Sequence, residues 1–372
     1  MCYNPSMPRI LMGIFAAGIL IGMSYLTARA YSAGFRFNGM QTKIGFLAFL
    51  LVPLTFMGSL LMTRSTTLGS PLLYTIIQII AGAGFYVFVS AILLALALGI
   101  ATLFSTTPPL WTTWAALAFA LSCITIGLIQ SRMVTVRDYT VTLSGAPDSW
   151  NGKTAVLVSD THLGLVNYTK FSDKVVTRIL AERPDFVLHA GDFYDGPTVD
   201  TTPITASWQR LAGQIPVFYA PGNHEGYGNY SAFVDSVRNA GITGLDDKKV
   251  DYDGIQIAGI TYRSGKESPA AAAAIASLSL DSSRPSILIN HPPTSLAAAA
   301  AAGIDLQVSG HTHNGQFWPM NYLIKKIYGR FAHGMAKYSD MTVITSSGIG
   351  TFGPPYRLFN TPELVRITFR TQ

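Results

Sequence analysis

The chain has 372 residues, 49% of them hydrophobic and only 12% charged, with a formal net charge of +6. Residues 1–133 contain no Asp or Glu and carry Arg9, Arg29, Arg36, Lys43, Arg64 and Arg132; beyond them bases and acids balance, so the whole positive excess lies in the first third. These sparse cations flank apolar runs and form no basic patch, which excludes a nucleic-acid surface, and two cysteines, Cys2 and Cys123, provide no disulfide framework.

The first third reads as a membrane region. Apolar runs at about 10–28, 44–62, 73–104 and 110–130 each reach the roughly 20 residues a spanning helix needs, and in lipid the backbone must satisfy its own hydrogen bonds. The expectation is a four-helix transmembrane region over residues 1–133, kinked at Pro53 in the second run and with a third run long enough to tilt. No ionisable residue lies mid-span, so an anchor is favoured over a transport path. Four basic residues (Arg9, Arg64, Arg132 and Arg137) against three (Arg29, Arg36 and Lys43) set a cytoplasmic catalytic domain by the positive-inside rule.

From residue 134 the pattern becomes α/β. Short β-branched runs, "TAVLV", "PDFVLHA", "PVFYA", "IQIAGIT", "PSILI", "DLQVS" and "MTVIT", alternate with amphipathic stretches, the signature of buried strands joined by helices. Helices are predicted over 170–183, capped at Ser172, and over 229–240, ended by Gly241. The alanine runs 270–276 and 297–302 read as ordinary packing helices.

Five of these strands end in metal-ligand types. "TAVLV" leads to Asp160 and His162, "FVLHA" to Asp192 and Asp195, and "PVFYA" to Asn223, His224 and Glu225. "SILI" leads to His291, and "DLQV" to His311 and His313. Carboxyl ends of neighbouring strands converge on one sheet edge, where α/β proteins build their sites. Five of the seven histidines fall there, a costly buried set without a cation. Imidazole, carboxylate and amide ligands without cysteine suit Mn²⁺, Fe or Zn²⁺.

The ordered set Asp-x-His, Gly-Asp, Gly-Asn-His-Glu, lone His, Gly-His-x-His across residues 160–313 resembles the calcineurin-like metallophosphoesterases. The tail "SSGIGTFGPPYRLFNTPELVRI" is similar to their membrane-associated, YkuE-like bacterial branch. The resemblance spans about residues 150–370 and implies a four-layer sandwich of two mixed sheets flanked by helices. It also implies two divalent metal ions. Asp160, His162 and His313 would hold one, Asn223, His291 and His311 the other, with Asp192 shared between them. His224 would protonate the leaving oxygen or stabilise its charge.

The expected activity is hydrolysis of a phosphomonoester, phosphodiester or pyrophosphate bond by a multi-pass protein of a bacterial inner membrane. A rival reading, a membrane sensor or scaffold with a non-catalytic domain, leaves His224 without a purpose. A metal amidase is disfavoured because no HExxH helix occurs. Asp195 and Glu225 are expected to fix their loops, His189 to be a paired core histidine, and His333 and Arg357 to contact substrate. Membrane lipids are the expected partners, with a lipid or lipid-linked phosphoester as substrate, of the UDP-diacylglucosamine-type glycolipid class. The motive is that "GQFWPMNYLIKKIYGRF" (315–331) interleaves aromatics with Lys325, Lys326 and Arg330, as interfacial segments do.

Overall fold

The computed structural model describes residues 6–62, 70–195, 200–265 and 268–372. The chain divides into two compact units: Met1–Leu128 with Pro354–Tyr356, and Ile129–Gly353 with Arg357–Gln372.

The first unit is helical: α1 (Ser6–Phe35), α2 (Gly39–Phe49), α3 (Leu51–Met62), α4 (Pro71–Leu103) and α5 (Trp111–Gln130). Among the described residues only α4 and α5 are long and apolar enough to cross a membrane, so two candidate helices stand where four spans were expected. The 44–62 run does not continue as one helix: it breaks at Leu50 between α2 and α3. The cause is Pro53. A helix would use the N–H of residue 53 to satisfy the carbonyl of Phe49, and proline has none. Ser24 Oγ of α1 donates to that carbonyl instead, at 3.0 Å. The 10–28 run lies within α1, but part of it falls outside the residues whose side chains are described. Helix α1 packs on α4 through Ala30, Tyr31, Ala91 and Leu94, and the Tyr31 hydroxyl pairs with Ser90 Oγ at 2.9 Å. Tyr356 belongs to this unit; its hydroxyl donates to the Ile79 carbonyl of α4 at 2.9 Å.

The second unit is built on two six-stranded mixed sheets. Sheet one runs β1 (Thr135–Leu143), β12 (Glu363–Thr371), β2 (Thr154–Val158), β3 (Phe186–His189), β4 (Val217–Tyr219), β5 (Thr243–Gly244). Sheet two runs β10 (Gly334–Tyr338), β11 (Met341–Thr345), β9 (Leu306–Ser309), β8 (Ser286–Asn290), β7 (Ile255–Ile260), β6 (Lys248–Tyr252). Strands β2 to β5 pair in parallel, as do β7, β8, β9 and β11. Strand β1 was not read as part of a sheet from sequence, because half its residues are exposed; it pairs in parallel along the whole of β12.

Period-two alternation decides the layers. Ala155 and Leu157 of β2 face Ile257, Ile289 and Val308 of the other sheet in one shared core. Val156 and Val158 face outward. There α6 (Thr169–Ala181), α7 (Thr202–Ala212) and α8 (Tyr230–Asn239) cover them with Val175, Ile179, Trp208 and Phe233. On the far side α9 (Tyr262–Gly265) precedes α10 (Ser268–Ser277) and α11 (Leu296–Ala301), which bring Ile275 and Ala299 onto Ala258 and Leu288. Each such buried Leu, Ile or Phe contributes roughly 1.5–3 kcal/mol relative to exposure, so the interleaved sheets form a stiff frame. Helix α8 is capped by Asn229, whose side chain accepts from Ala232 N, and Gly241 follows it at φ +82°. Ser172 is not a cap: Tyr168 holds that position in α6, and the Ser172 hydroxyl donates to Ile204 O at 2.6 Å. The 315–331 segment carries α12 (Met320–Tyr328), which buries none of its residues and leaves Tyr322, Leu323 and Ile327 exposed.

Candidate metal centre

The loops after β2, β3 and β4 of one sheet and after β8 and β9 of the other bring their polar residues together. Three overlapping groups have ligand atoms within 4.8 Å of one another: Asp160, His162 and His313; His162, Asp192 and His224; Asp192, His291 and His311. The first and third are the two sets implied by the sequence resemblance, apart from Asn223. Asp192 stands between them, its Oδ2 3.1 Å from His291 Nε2 and 3.8 Å from His162 Nε2. Asp160 Oδ1 lies 3.3 Å from His313 Nε2, and the two Nε2 atoms of His162 and His313 face each other at 3.0 Å.

The fit of these residues to cations can be tested on atoms left over. Asn223 Oδ1 is buried and without a hydrogen-bond partner among the described residues, and His291 Nε2 is buried with only the Asp192 carboxylate beside it, out of hydrogen-bond alignment. A buried acceptor without a donor costs about 1–3 kcal/mol; the Asn223 oxygen is such an acceptor, and both it and His291 Nε2 are atom types that coordinate hard or borderline cations. The ring tautomers agree. His291 Nδ1 sits 2.6 Å from the carbonyl of Ala190, so Nδ1 carries a proton and Nε2, 3.1 Å from Asp192 Oδ2, is the atom that would give up its proton to coordinate a cation. His162 Nδ1 lies 3.2 Å from Asp195 Oδ1 without an aligned hydrogen bond, a carboxylate that favours the proton on Nδ1.

Electrostatics follow from burial and mutual charge. Burial alone would raise the carboxyl of Asp192, but His291, then His224, hold it well below the ordinary carboxylate range. Burial would lower His291, but Asp192 keeps it up at about 9. Burial and the neighbouring His291 push His311 down to about 3; burial, His162 and Arg357 push His313 down as well. Both rings are thereby neutral, as ligation requires. Glu225, raised to about 7 by burial and by Asp192, accepts from the backbone of Tyr194 and Gly222 and braces the turn that presents Asn223 and His224.

Backbone strain concentrates here. Asp160, His162, Asp192, His311 and His313 all have φ between +44° and +71°, a region costing non-glycine residues roughly 1–3 kcal/mol each. Such conformations persist only where the surroundings fix them, and the sheet frame does so. Gly191, at φ +85°, has no room for a Cβ, which would stand 2.6 Å from His291 Nδ1.

Asp195 matters more than its sequence context suggested. Its Oδ1 is 3.2 Å from His162 Nδ1 and 3.5 Å from His224 Nδ1, and its carbonyl is 3.1 Å from that same His224 nitrogen. It positions a ligand-type ring and the acid-type ring together; the only sequence signal was its place three residues after Asp192. Two expectations are corrected. Arg357 is fully buried, its guanidinium bonded to the carbonyls of Ser347, Gly348 and Gly350 and to Asn360 Oδ1, 3.3 Å behind His313 Nδ1. It stiffens the loop carrying its neighbours and contacts no cleft. His333 pairs through Nε2 with Glu363 at 3.0 Å and is in none of the three metal-ligand groups. His189 is a core residue, its Nε2 3.2 Å from Thr161 Oγ1.

Residues 153–315, which contain all of these groups, match the family described as calcineurin-like phosphoesterase. The chain carries a calcineurin-like metallophosphoesterase domain. Relatives include an uncharacterized metallophosphoesterase of Campylobacter jejuni, 32% identical over 219 residues covering 58% of each chain. A transmembrane protein with metallophosphoesterase domain from Bos taurus is 30% identical, over 59% of this chain and 54% of that one. The uncharacterized metallophosphoesterase YkuE of Bacillus subtilis is 25% identical, over 65% of this chain and 88% of that one. The alignments thus span less than three fifths of the Campylobacter and Bos taurus proteins.

Proposed function

We propose that this chain is a membrane-associated phosphoesterase that uses two divalent cations to hydrolyse a phosphoester or pyrophosphate bond of a lipid or lipid-linked substrate. The observation that carries the reading is the pair of ligand groups sharing Asp192, with Asn223 Oδ1 and His291 Nε2 left over to complete one of them. Bound there, two cations would lower the pKa of a water and neutralise the phosphoryl oxygens during in-line displacement. The chain's own residues do the rest. Asp195 fixes His224 through Nδ1, leaving Nε2 to hold a proton for the departing oxygen. Carboxylates and imidazoles from both sheets hold the reaction centre rigidly. Support for a lipid substrate comes from the apolar wall of the cleft containing His224 and His313, made by Phe317, Met320, Ile324 and Phe352. The apolar helices α4 and α5 and the name of the Bos taurus relative support a membrane setting.

The test uses the full chain in detergent micelles with Mn²⁺. Activity on phosphoesters is expected to vanish in chelator and in Asp192→Ala, and catalytic efficiency is expected to favour a lipid phosphoester over its water-soluble counterpart. Activity that survives both chelator and Asp192→Ala overturns the two-cation scheme; equal efficiency on the matched pair overturns the lipid assignment.

A further inference from the structure

The metal-ligand groups lie where two clefts of different chemistry meet. One, about 490 Å³, passes Asn223 and Tyr227 to reach Tyr230, Thr261, Tyr262 and Arg263. The other, about 450 Å³, holds His224 and His313 and is walled by Phe317, Met320, Ile324 and Phe352. Asn223 and Tyr227 border both. Tyr227 is fixed at this junction: Asn223 Nδ2 donates to its hydroxyl at 3.1 Å, and its ring centroid lies 4.7 Å from that of His224. It lines both clefts beside the acid-type histidine.

We propose that the two clefts are subsites for the two arms of an asymmetric phosphodiester, and that the P–O bond to the apolar arm is the one broken. The proposal rests on the phosphoesterase reading above. Away from the ligand-type residues, Thr312 and Gln316, the His224 cleft is walled by the aliphatic and aromatic carbon of Phe317, Met320, Ile324 and Phe352, which suits an alkyl or acyl chain. The other cleft offers tyrosine faces for a planar or sugar ring, with the Thr261 hydroxyl and the Arg263 fork as donors to its polar edge. His224 borders only the apolar cleft, so its proton reaches the oxygen of the arm lying there. An oxygen from water bonds to phosphorus and the P–O bond to the apolar arm breaks. The alcohol leaves with the proton from His224, and the proton released by the water restores it. The ring-bearing arm keeps the phosphate as a monoester.

The probe is the dodecyl ester of adenosine 5′-monophosphate, given to the full chain in micelles with Mn²⁺. The two possible cleavages yield different products, so regiochemistry is read directly. Dodecanol and adenosine monophosphate are expected. Replacing both Tyr230 and Arg263 with Ala is expected to raise KM for this diester at least tenfold with little change in kcat. Ile324→Asn is expected to erase, by at least tenfold, the preference for the dodecyl over the methyl ester. Adenosine with dodecyl phosphate, a mixture of both product pairs, or an unchanged KM in the Tyr230 and Arg263 double variant overturns the two-subsite assignment while leaving phosphoesterase activity standing. Absence of cation-dependent hydrolysis of both this diester and bis(4-nitrophenyl) phosphate sinks the phosphoesterase reading itself.

Discussion

His224 and His291 are both histidines at the ends of buried strands, yet their surroundings give them opposite work. His224 is lowered by burial and by His162 and borders an open cleft, so as pH falls it more readily holds the Nε2 proton that donation needs. His224→Ala is expected to keep its metals and to lose roughly 10²- to 10⁴-fold in rate on alkyl esters, with a much smaller loss on a nitrophenyl ester, whose leaving group needs no proton. Equal losses on the two would remove the proton-donor role. His291, held up near 9 by Asp192, is protonated at neutral pH without metal and must lose that proton to coordinate. Metal affinity is therefore expected to rise about tenfold per pH unit up to roughly pH 9 and then level. Titration calorimetry with Mn²⁺ in buffers of different ionisation enthalpy should read about one proton released near neutral pH; none released would contradict the assignment. At this scale the ligand set was legible because histidine and aspartate at a strand end have few bland explanations. The burial of Arg357 was not legible, because sequence carries no sign of which side of a loop faces in.

The strands and most helices of the second unit were readable from period and composition, since parallel strands buried on both faces read as continuous β-branched runs. Of the apolar runs, 73–104 and 110–130 coincide with α4 and α5. The 44–62 run is interrupted next to Pro53, where a kink is expected; its failure to form one long helix was not legible. A hydrophobic run reports composition, while the break at Leu50 depends on Pro53 and on a hydroxyl from another helix. Strand β1 escaped notice for the opposite reason: an edge strand with exposed polar residues has little pattern to show. It is tied to β12 by a polar contact as well as by register. Glu363, 1% exposed in its side chain, accepts from Arg137 Nε at 2.6 Å and Ser347 N at 2.8 Å, and pairs with His333. Burial would raise this carboxyl, but the bond to His333 and the other donors leave it below its ordinary value of 4.5. A depressed folded pKa means stability that is present above that ordinary value and lost as pH falls through the folded one. Glu363→Gln is expected to cost roughly 2 kcal/mol at pH 7, with the difference from the parent shrinking below about pH 4.5. Urea unfolding across that range checks it; a pH-independent difference would show that charge is not the cause.

On the scale of the whole molecule, the division into a helical unit and an α/β unit follows the disappearance of acidic residues before residue 134, which is a property sequence displays openly. What it could not display is that the ligand groups are drawn from two sheets. Asp160, His162, Asp192, Asn223 and His224 follow strands of sheet one, whereas His291, His311 and His313 follow strands of sheet two. Each cation, held as proposed, would take ligands from both. The ions would then act as rivets across the sandwich, resisting any slide of one sheet over the other, in parallel with the shared apolar core. Ligands bound only by the folded state raise its stability with their concentration. Chelation is accordingly expected to lower the melting temperature and to speed amide exchange first in the loops after β8 and β9, where sheet two has lost its second attachment. Exchange that stayed unchanged in those loops, or rose only in the helical unit, would mean that the sandwich keeps its registry by packing alone.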